Sequence, residues 1–338
     1  MLTASLLDRI TRRRRMAAAA VSAAALAGAA LLAASPAGAQ VPETATHPDH
    51  IASAHAAGPA ASGTSNLVYG GGPIVTSPTI YIVYWGSQWG TGSTVTNDPS
   101  GVAPLQLSFF QHAYGNGDTW SNSVTQYCQG VPAGTTQCNG AGTPVGHPAA
   151  NPVGGTWLDS GVTAPKRASQ SQIAAEAVRA ASHFGVTGTN VEIIVDSPHG
   201  VTPSGFGTQY CAWHSSTTAS GSSLPYTNMP YVPDAGTACG SGFVATSGGV
   251  NSATEGVTIV GGHEYAETVT DPVPNSGWLD SAGAENGDKC AWISSGQGAS
   301  AVVSMNGASY AVQSLWSNNF NGGAGGCVVS YTSATNQH

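Results

Sequence analysis

The hydrophobic positions of the chain fall into short runs, separated by stretches rich in glycine, serine, threonine and proline. Runs of β-branched and aromatic residues predict strands, the first of them a buried central strand. Apolar residues at helical spacing predict helices. The predicted strands are Thr79–Trp85, Val191–Val195 and Tyr226–Val232, and the predicted helices are Ala103–Tyr114 and Ser169–Phe184. This mixture indicates an α+β domain.

A third helix is predicted over Ser252–Thr270. Asn251-Ser252 supplies an N-cap, and Glu255 lies three residues after the serine, which fits a capping box. Pro272 ends the helix, because the residue before a proline is disfavoured in the helical conformation. The Gly261-Gly262 pair costs about 1 kcal/mol per glycine relative to alanine. These two glycines could serve to let another strand or a substrate approach closely.

This helix carries the densest cluster of metal-binding residue types, in the pattern His263-Glu264-x-x-Glu267. In a helix, His263 and Glu267 point the same way, with Glu264 beside them. Zinc peptidases use two ligands at this spacing and an adjacent glutamate as general base for a metal-bound water. Here Glu267 replaces the usual second histidine, and a carboxylate can also bind zinc. An ordinary side-chain pair on a half-buried helix is the alternative.

Acidic residues crowd into the segment after the helix, at Asp271, Asp280, Glu285 and Asp288. Asp271 is unfavourable at a helix C-terminus unless a cation is nearby, so it is a candidate ligand. Glu285 and Asp288 follow far enough along the chain for a loop to return and supply a third zinc ligand. Calcium is the rival prediction, because several oxygen donors on a loop rich in glycine and asparagine suit a hard cation.

A further candidate is His214, which follows Cys211 and Trp213 closely. Its imidazole could be a metal ligand, or it could donate a hydrogen bond to the oxyanion of a transition state. Packing of the ring beneath Trp213 is the alternative.

The N-terminal segment has the order of a secretory signal peptide. It contains the basic cluster Arg12–Arg15, an alanine-rich apolar run over Met16–Ala34 and the A-x-A pattern that ends at Ala39. We predict cleavage after Ala39 and an extracellular protein, with an uncleaved membrane anchor as the alternative. No later apolar run is long enough to span a membrane.

Removal of residues 1–39 makes the chain strongly acidic. It takes away five of the nine basic residues and one of the 17 acidic ones, which leaves a net charge of −12. Such a surface repels nucleic acid and anionic membranes. We therefore predict a soluble protein with no nucleic-acid or membrane partner. We further expect a monomer whose partner is an extracellular protein or peptide substrate.

The six cysteines all lie in the mature part of the chain. An even number in an exported protein indicates disulfide bonds, with fifteen possible connectivities. Pairing of sequence neighbours gives the hypothesis Cys128–Cys138, Cys211–Cys239 and Cys290–Cys327. No pair has the C-x-x-C spacing of a zinc site.

The remaining stretches suggest the domain boundaries. Residues 40–66 lack an apolar period and predict a disordered linker or a short propeptide. One metallopeptidase-like domain is predicted over 67–331, with short strands and long loops over 115–165, and a tail over 332–338. The expected fold is a single zincin-like α+β domain, with a small twisted sheet, a motif-bearing helix and long loops stapled by disulfides.

Several separated segments together resemble the EXORDIUM or phosphate-induced-protein family, over roughly Leu67 to Cys327. The segments are Tyr69–Thr76, Ile80–Ser87, Gly205–His214, Met229–Cys239, Gly262–Glu267, Asp271-Pro272 and Glu285–Cys290. The chain looks like a bacterial member. Plant members are known as secreted, cell-wall-associated proteins linked to growth. Their His-Glu-x-x-Glu segment resembles zinc-peptidase motifs and corresponds here to His263, Glu264 and Glu267. They usually have asparagine where this chain has Asp271.

Two functions follow as expectations. The first is a secreted zinc endopeptidase in which His263 and Glu267 bind zinc, Glu285 or Asp288 completes the set, and Glu264 deprotonates the metal-bound water. His214 would then polarise the oxyanion. The second is a non-catalytic secreted protein that binds cell-surface or cell-wall polysaccharide and holds a structural metal. A glycosidase is a third alternative, because paired carboxylates also cleave sugars, but two acids in one helix turn rarely straddle a bond.

Overall fold

The computed structural model describes residues 65–244 and 249–338. The predicted signal peptide, its cleavage site and nearly all of the predicted 40–66 linker lie outside the described residues. Leu67, where the folded domain is predicted to begin, is fully buried, and its backbone N–H donates to Asn318.

Four α-helices are interspersed among seventeen strands in the described chain. The helices are α1 (Val102–His112), α2 (Gln170–Phe184), α3 (Glu255–Thr270) and α4 (Phe320–Gly323). The strands are β1 (Val68–Tyr69), β2 (Thr79–Trp85), β3 (Gly90–Thr91), β4 (Thr94–Val95), β5 (Cys128–Gln129), β6 (Thr143–Pro144), β7 (Val153–Asp159), β8 (Val191–Asp196), β9 (Trp213–Ala219), β10 (Ser222–Met229), β11 (Trp278–Leu279), β12 (Ala301–Met305), β13 (Ala308–Val312), β14 (Leu315–Ser317), β15 (Gly326–Val328), β16 (Tyr331–Ser333) and β17 (Asn336–Gln337).

The central sheet has the strand order β7-β2-β8-β10-β9. Its first four strands are parallel, and β9 runs antiparallel to β10 at one edge. Successive side chains of a strand point to opposite faces, so Ile193 and Val195 pack with α2 while Ile194 lies in the core shared with α1 and α3. The predicted α+β class, with a small sheet and a motif-bearing helix, is confirmed.

The predicted elements agree with this fold to different degrees. The strand at β2 and the helix at α2 are confirmed; Ser169 caps α2 in a capping box with Gln172. The strand predicted over Tyr226–Val232 instead begins at Ser222 and ends at Met229, because Pro230 has no N–H to continue the ladder. The sheet strand β7 lies in the 115–165 stretch, where short strands were predicted without bounds, and the strand β9 was not predicted.

The motif helix α3 is buried along its whole length. A 3-10 turn over Ser252–Thr254 leads into it, so helical structure covers the predicted range. The Asn251 side chain caps this turn by accepting from the Ala253 N–H. The capping box predicted for Glu255 is not formed, because its carboxylate accepts from the Val244 N–H instead.

The glycines of α3 serve close packing within the protein. A Cβ atom on Gly262 would lie 2.7 Å from the indole of Trp120, and one on Gly256 would lie 1.9 Å from the carbonyl oxygen of Cys239. The neighbours that approach the helix at these two positions are therefore an indole ring and a loop backbone.

The three disulfides have the predicted pairing, Cys128–Cys138, Cys211–Cys239 and Cys290–Cys327. Residues 332–338, predicted as a tail, belong to the β16–β17 hairpin. In the ranges described above, none of the helices is long and apolar enough to cross a membrane.

A buried acid, Glu192 of β8, predicts a pH-dependent stability. Burial beneath α3 raises the pKa of Glu192 to about 8, although hydrogen bonds from Thr227 and Thr268 oppose the shift. Above the ordinary pKa of a glutamate, Glu192 is deprotonated in the unfolded chain but keeps its proton in the folded protein. The free energy of unfolding therefore falls as the pH rises, until the pH passes about 8. Glu192→Gln removes this loss. As the pH rises from 5 to 8, we expect the free energy of unfolding of the variant to increase by about 3 kcal/mol relative to that of the native protein. Chemical denaturation at matched metal loading measures this difference. Parallel pH profiles would contradict the prediction.

Candidate metal centre

The i, i+4 pair of the motif forms as predicted. Nε2 of His263 lies 3.0 Å from Oε1 of Glu267, and both side chains, like that of Glu264, have no exposed surface. A long helix that is buried on all sides brings these polar groups into the centre of the domain. Buried charges are energetically costly unless they are paired or bind a metal. The carboxylates of this cluster therefore need a hydrogen-bond partner, a proton or a cation.

The ring of His263 is held by Gln313, which follows β13. The Gln313 side chain donates through Nε2 to the carbonyl oxygens of Gly287 and Ser314, so its Oε1 faces Nδ1 of His263 at 3.1 Å. This orientation of the Gln313 amide favours the tautomer of His263 with its proton on Nδ1. Burial lowers the pKa of His263, although Asp288 and Gln313 oppose the shift. In the tautomer with the proton on Nδ1, Nε2 is an unprotonated nitrogen that faces a carboxylate oxygen, an arrangement that a cation between them stabilises.

A loop from the next part of the chain closes over α3. The backbone N–H of Asp288 donates to Oε1 of Glu267 at 2.8 Å, and Oδ1 of Asp288 lies 3.7 Å from Nε2 of His263. Glycine is required at position 287, because a Cβ there would lie 2.8 Å from both Glu267 and His263. The disulfide from Cys290 anchors the loop.

His214 reaches the same cluster from the edge strand β9. Its Nδ1 lies 3.5 Å from Oε2 of Glu264 and 3.6 Å from Oε2 of Glu267, and its Nε2 lies 3.6 Å from Oε2 of Glu285. Trp213 contacts Tyr226 on the opposite face of the sheet. The interpretation of His214 as a ring packed beneath Trp213 is therefore wrong.

The cluster contains two groups of three residues that could hold a metal ion. One consists of His263, Glu267 and Asp288, and the other of His214, Glu267 and Glu285; within each group the potential ligand atoms all lie within 4.8 Å of one another. Glu285 and Asp288, of which the sequence predicts one as the third ligand, lie in different groups. Glu264 lies beside the second group.

Asp271 lies apart from both groups. Its two oxygens accept hydrogen bonds from the backbone N–H groups of Asn275, Ser276 and Gly277. Burial raises the pKa of Asp271 to about 6, and these hydrogen bonds oppose the shift. The loop amides explain an acid at this helix end, so the ligand role that the sequence suggested for Asp271 has no support in its surroundings.

Two residues of the site have no signal in the sequence. Gln313 lies 50 positions from His263 and belongs to no motif, and Gly287 is one of 45 glycines. Asp280, which sequence proximity placed among the acids of the site, instead accepts from Nζ of the buried Lys289 at 2.9 Å. The ammonium group of Lys289 also lies 4.2 Å from the centre of the Trp316 ring.

Comparison of the chain with family models, curated proteins and solved structures gives no match.

Proposed function

We propose that this protein is a secreted zinc-dependent endopeptidase. The observation that carries the proposal is that Nε2 of His263 lies 3.0 Å from a carboxylate oxygen of Glu267 and 3.7 Å from one of Asp288, with Glu264 as the next residue of the helix. This combination supplies three ligands and a neighbouring acid for proton transfer, which is what metal-assisted hydrolysis requires.

Zinc fits this set of ligands better than calcium. Each of the two groups contains an imidazole nitrogen, which zinc binds well, whereas calcium takes oxygen ligands. Zinc held by His263, Glu267 and Asp288 would polarise a peptide carbonyl and lower the pKa of a bound water. Two carboxylates neutralise more of its charge than two histidines do, so the expected lowering of this pKa is smaller.

Glu264 is the group that moves the proton. Its buried carboxylate accepts a proton from the attacking water while the water oxygen forms a bond to the peptide carbonyl carbon. The same carboxyl group then delivers this proton to the amide nitrogen as the C–N bond breaks, which releases an amine and a carboxylic acid. The low dielectric of the buried cluster strengthens each of these electrostatic interactions.

The compartment is part of the proposal. Three disulfides fit an oxidising environment, and the pattern of residues 1–39 fits export. We further propose a bacterial member of the EXORDIUM or phosphate-induced-protein family, on the segments quoted above. The acidic mature chain favours an extracellular protein or peptide as substrate and disfavours nucleic acid.

The test is a cleavage assay on the purified mature chain. An unfolded, fluorescently labelled protein is the substrate, and mass spectrometry identifies the cut peptide bonds. We expect cleavage by the zinc-loaded protein, loss of cleavage after chelation and recovery on addition of zinc. A zinc-loaded protein that cuts none of a panel of unfolded proteins would overturn the proposal.

One observation favours a second candidate, a non-catalytic secreted protein with a structural metal. Structural zinc sites are closed, whereas catalytic ones keep a position open to water, and His214, His263, Glu267 and Glu285 are all fully buried. This candidate predicts zinc binding and a large zinc-dependent gain in stability without cleavage. Affinity for insoluble cell-wall polysaccharide would then identify the partner class.

A further inference from the structure

Glu267 faces two histidines through its two different oxygens. Oε1 lies 3.0 Å from Nε2 of His263, and Oε2 lies 3.6 Å from Nδ1 of His214. Each histidine has a further acid beside it, Asp288 in the first case and Glu285 in the second. The two groups of potential ligands therefore share one carboxylate, and they contribute different atoms of it.

The distances between the His214 nitrogens and the three nearby acids are longer than hydrogen bonds. These nitrogens lie 3.5–3.6 Å from oxygens of Glu264, Glu267 and Glu285, beyond the usual 2.7–3.2 Å of an N–H···O bond. Two donors about 2.1 Å from one tetrahedral ion lie about 3.4 Å apart. One ion binds a single nitrogen of an imidazole ring, so the spacing between Nδ1 of His214 and Oε2 of Glu267 fits two ligands of one cation. Glu285 faces the other nitrogen and belongs to the same group at the wider spacing of up to 4.8 Å.

We propose that the cluster binds two divalent cations bridged by Glu267. His263, Glu267 and Asp288 hold one, and His214, Glu267 and Glu285 hold the other. The inference deepens the proposed function, on which it rests for the first of these sites. Hydrolytic sites with two metals hold their ions about 3.5–4 Å apart, a separation that one shared carboxylate can span.

Charge supports a pair of ions. Glu264, Glu267, Glu285 and Asp288 bring four carboxylates into one cluster, and the first three have no exposed surface. When all four are ionised, two divalent cations match their charge, and one cation matches half of it. Buried charge without compensation is strongly unfavourable, so the second ion stabilises the ionised cluster.

The experiment counts zinc in the mature chain. The metal-free protein is titrated with zinc, desalted and analysed for metal and protein. We expect about two zinc ions per native chain, and about one in each of Glu285→Gln and Asp288→Asn, because each substitution removes a ligand from one group only. Asp280→Asn, an acid-to-amide change on the same loop outside both groups, keeps two. One zinc in the native chain, or loss of both ions from either single variant, overturns the proposal.

A second measurement excludes metal bound elsewhere, for example by His47, His50 and His55 near the N-terminus. The protein is loaded with manganese, and its electron paramagnetic resonance spectrum is recorded at increasing metal content. Two ions that share Glu267 give an exchange-coupled spectrum, whereas distant ions give the sum of two isolated ones. Isolated spectra overturn the proposal, and loss of the second ion on replacing the three histidines by alanine overturns it as well.

The count separates this inference from the proposed function. A protein that binds two zinc ions with a coupled manganese spectrum and cleaves no peptide bond refutes the endopeptidase and keeps the bridged pair. A protein that cleaves with one zinc per chain refutes the pair and keeps the endopeptidase.

Discussion

Glu264→Gln is expected to lower the rate of peptide cleavage by about 100-fold or more, because general acid–base catalysis typically contributes 10²–10⁴-fold. Glutamine has nearly the same shape as glutamate but cannot take a proton from water at neutral pH. Glu264 belongs to neither of the two three-residue ligand groups, so we expect zinc content and thermal stability to stay close to those of the native protein. Steady-state cleavage and metal analysis of the same preparation test both statements.

The matched control is Glu255→Gln on the same helix. Glu255 is as buried as Glu264, but its carboxylate accepts a hydrogen bond from the Val244 N–H at the start of α3, away from the cluster. This variant is expected to lose some stability and to keep its activity per folded molecule. Full activity of Glu264→Gln, or an equal loss in both variants, would refute proton transfer by Glu264.

Glu267→Gln is expected to abolish zinc binding. Glu267 is the residue common to both ligand groups, and its Oε1 also accepts the N–H of Asp288, which helps to hold the loop over α3. A ligand that binds only the folded state stabilises it by about 4 kcal/mol when its concentration is 1,000 times the Kd. The native protein should therefore gain thermal stability on zinc addition, and the variant should show no such gain.

Asp271→Asn is the control for this loss. It changes an acid to an amide just beyond Glu267, at the residue that caps α3, and it tests the ligand role that the sequence suggested. Because Asp271 accepts hydrogen bonds from loop amides, we expect the variant to keep its zinc and to lose about 1 kcal/mol of stability, measured by denaturation. Loss of zinc from Asp271→Asn would restore it as a ligand.

The local sequence pattern was sufficient to predict those helices and strands in which the intrinsic propensity of the residues and their packing favour the same structure. Thr79–Trp85 is apolar and β-branched because it lies inside the sheet, and α2 has an amphipathic period between a serine cap and a glycine stop. The strands β7 and β9, for which no bounds were predicted, lack such agreement. In β7, a glycine at position 154 is required because the ring of Tyr81 occupies the space of a side chain there. The edge strand β9 is rich in serine and threonine and has no apolar run.

The candidate site could be predicted only in part for a related reason. His263, Glu264 and Glu267 follow a helical period, so their sequence spacing implies their geometry. The choice between Glu285 and Asp288 depends on how a loop folds back over α3, and a count of intervening residues does not specify it. The support that Gln313 gives to His263 arises from long-range packing, for which the sequence contains no pattern.

Formation of the disulfide between Cys290 and Cys327 affects how well the proposed metal site is held together. Cys290 lies two residues after Asp288 and five after Glu285, so this bond ties the acidic loop to β15. Until it forms, the loop can leave α3 at a smaller energetic cost, and the histidine and glutamate of the helix lack their partners from the loop. If the chain is exported and binds zinc as proposed, we expect oxidation of the thiols to precede full metal affinity during maturation. The nascent chain would then have little capacity to withdraw zinc from a reducing compartment.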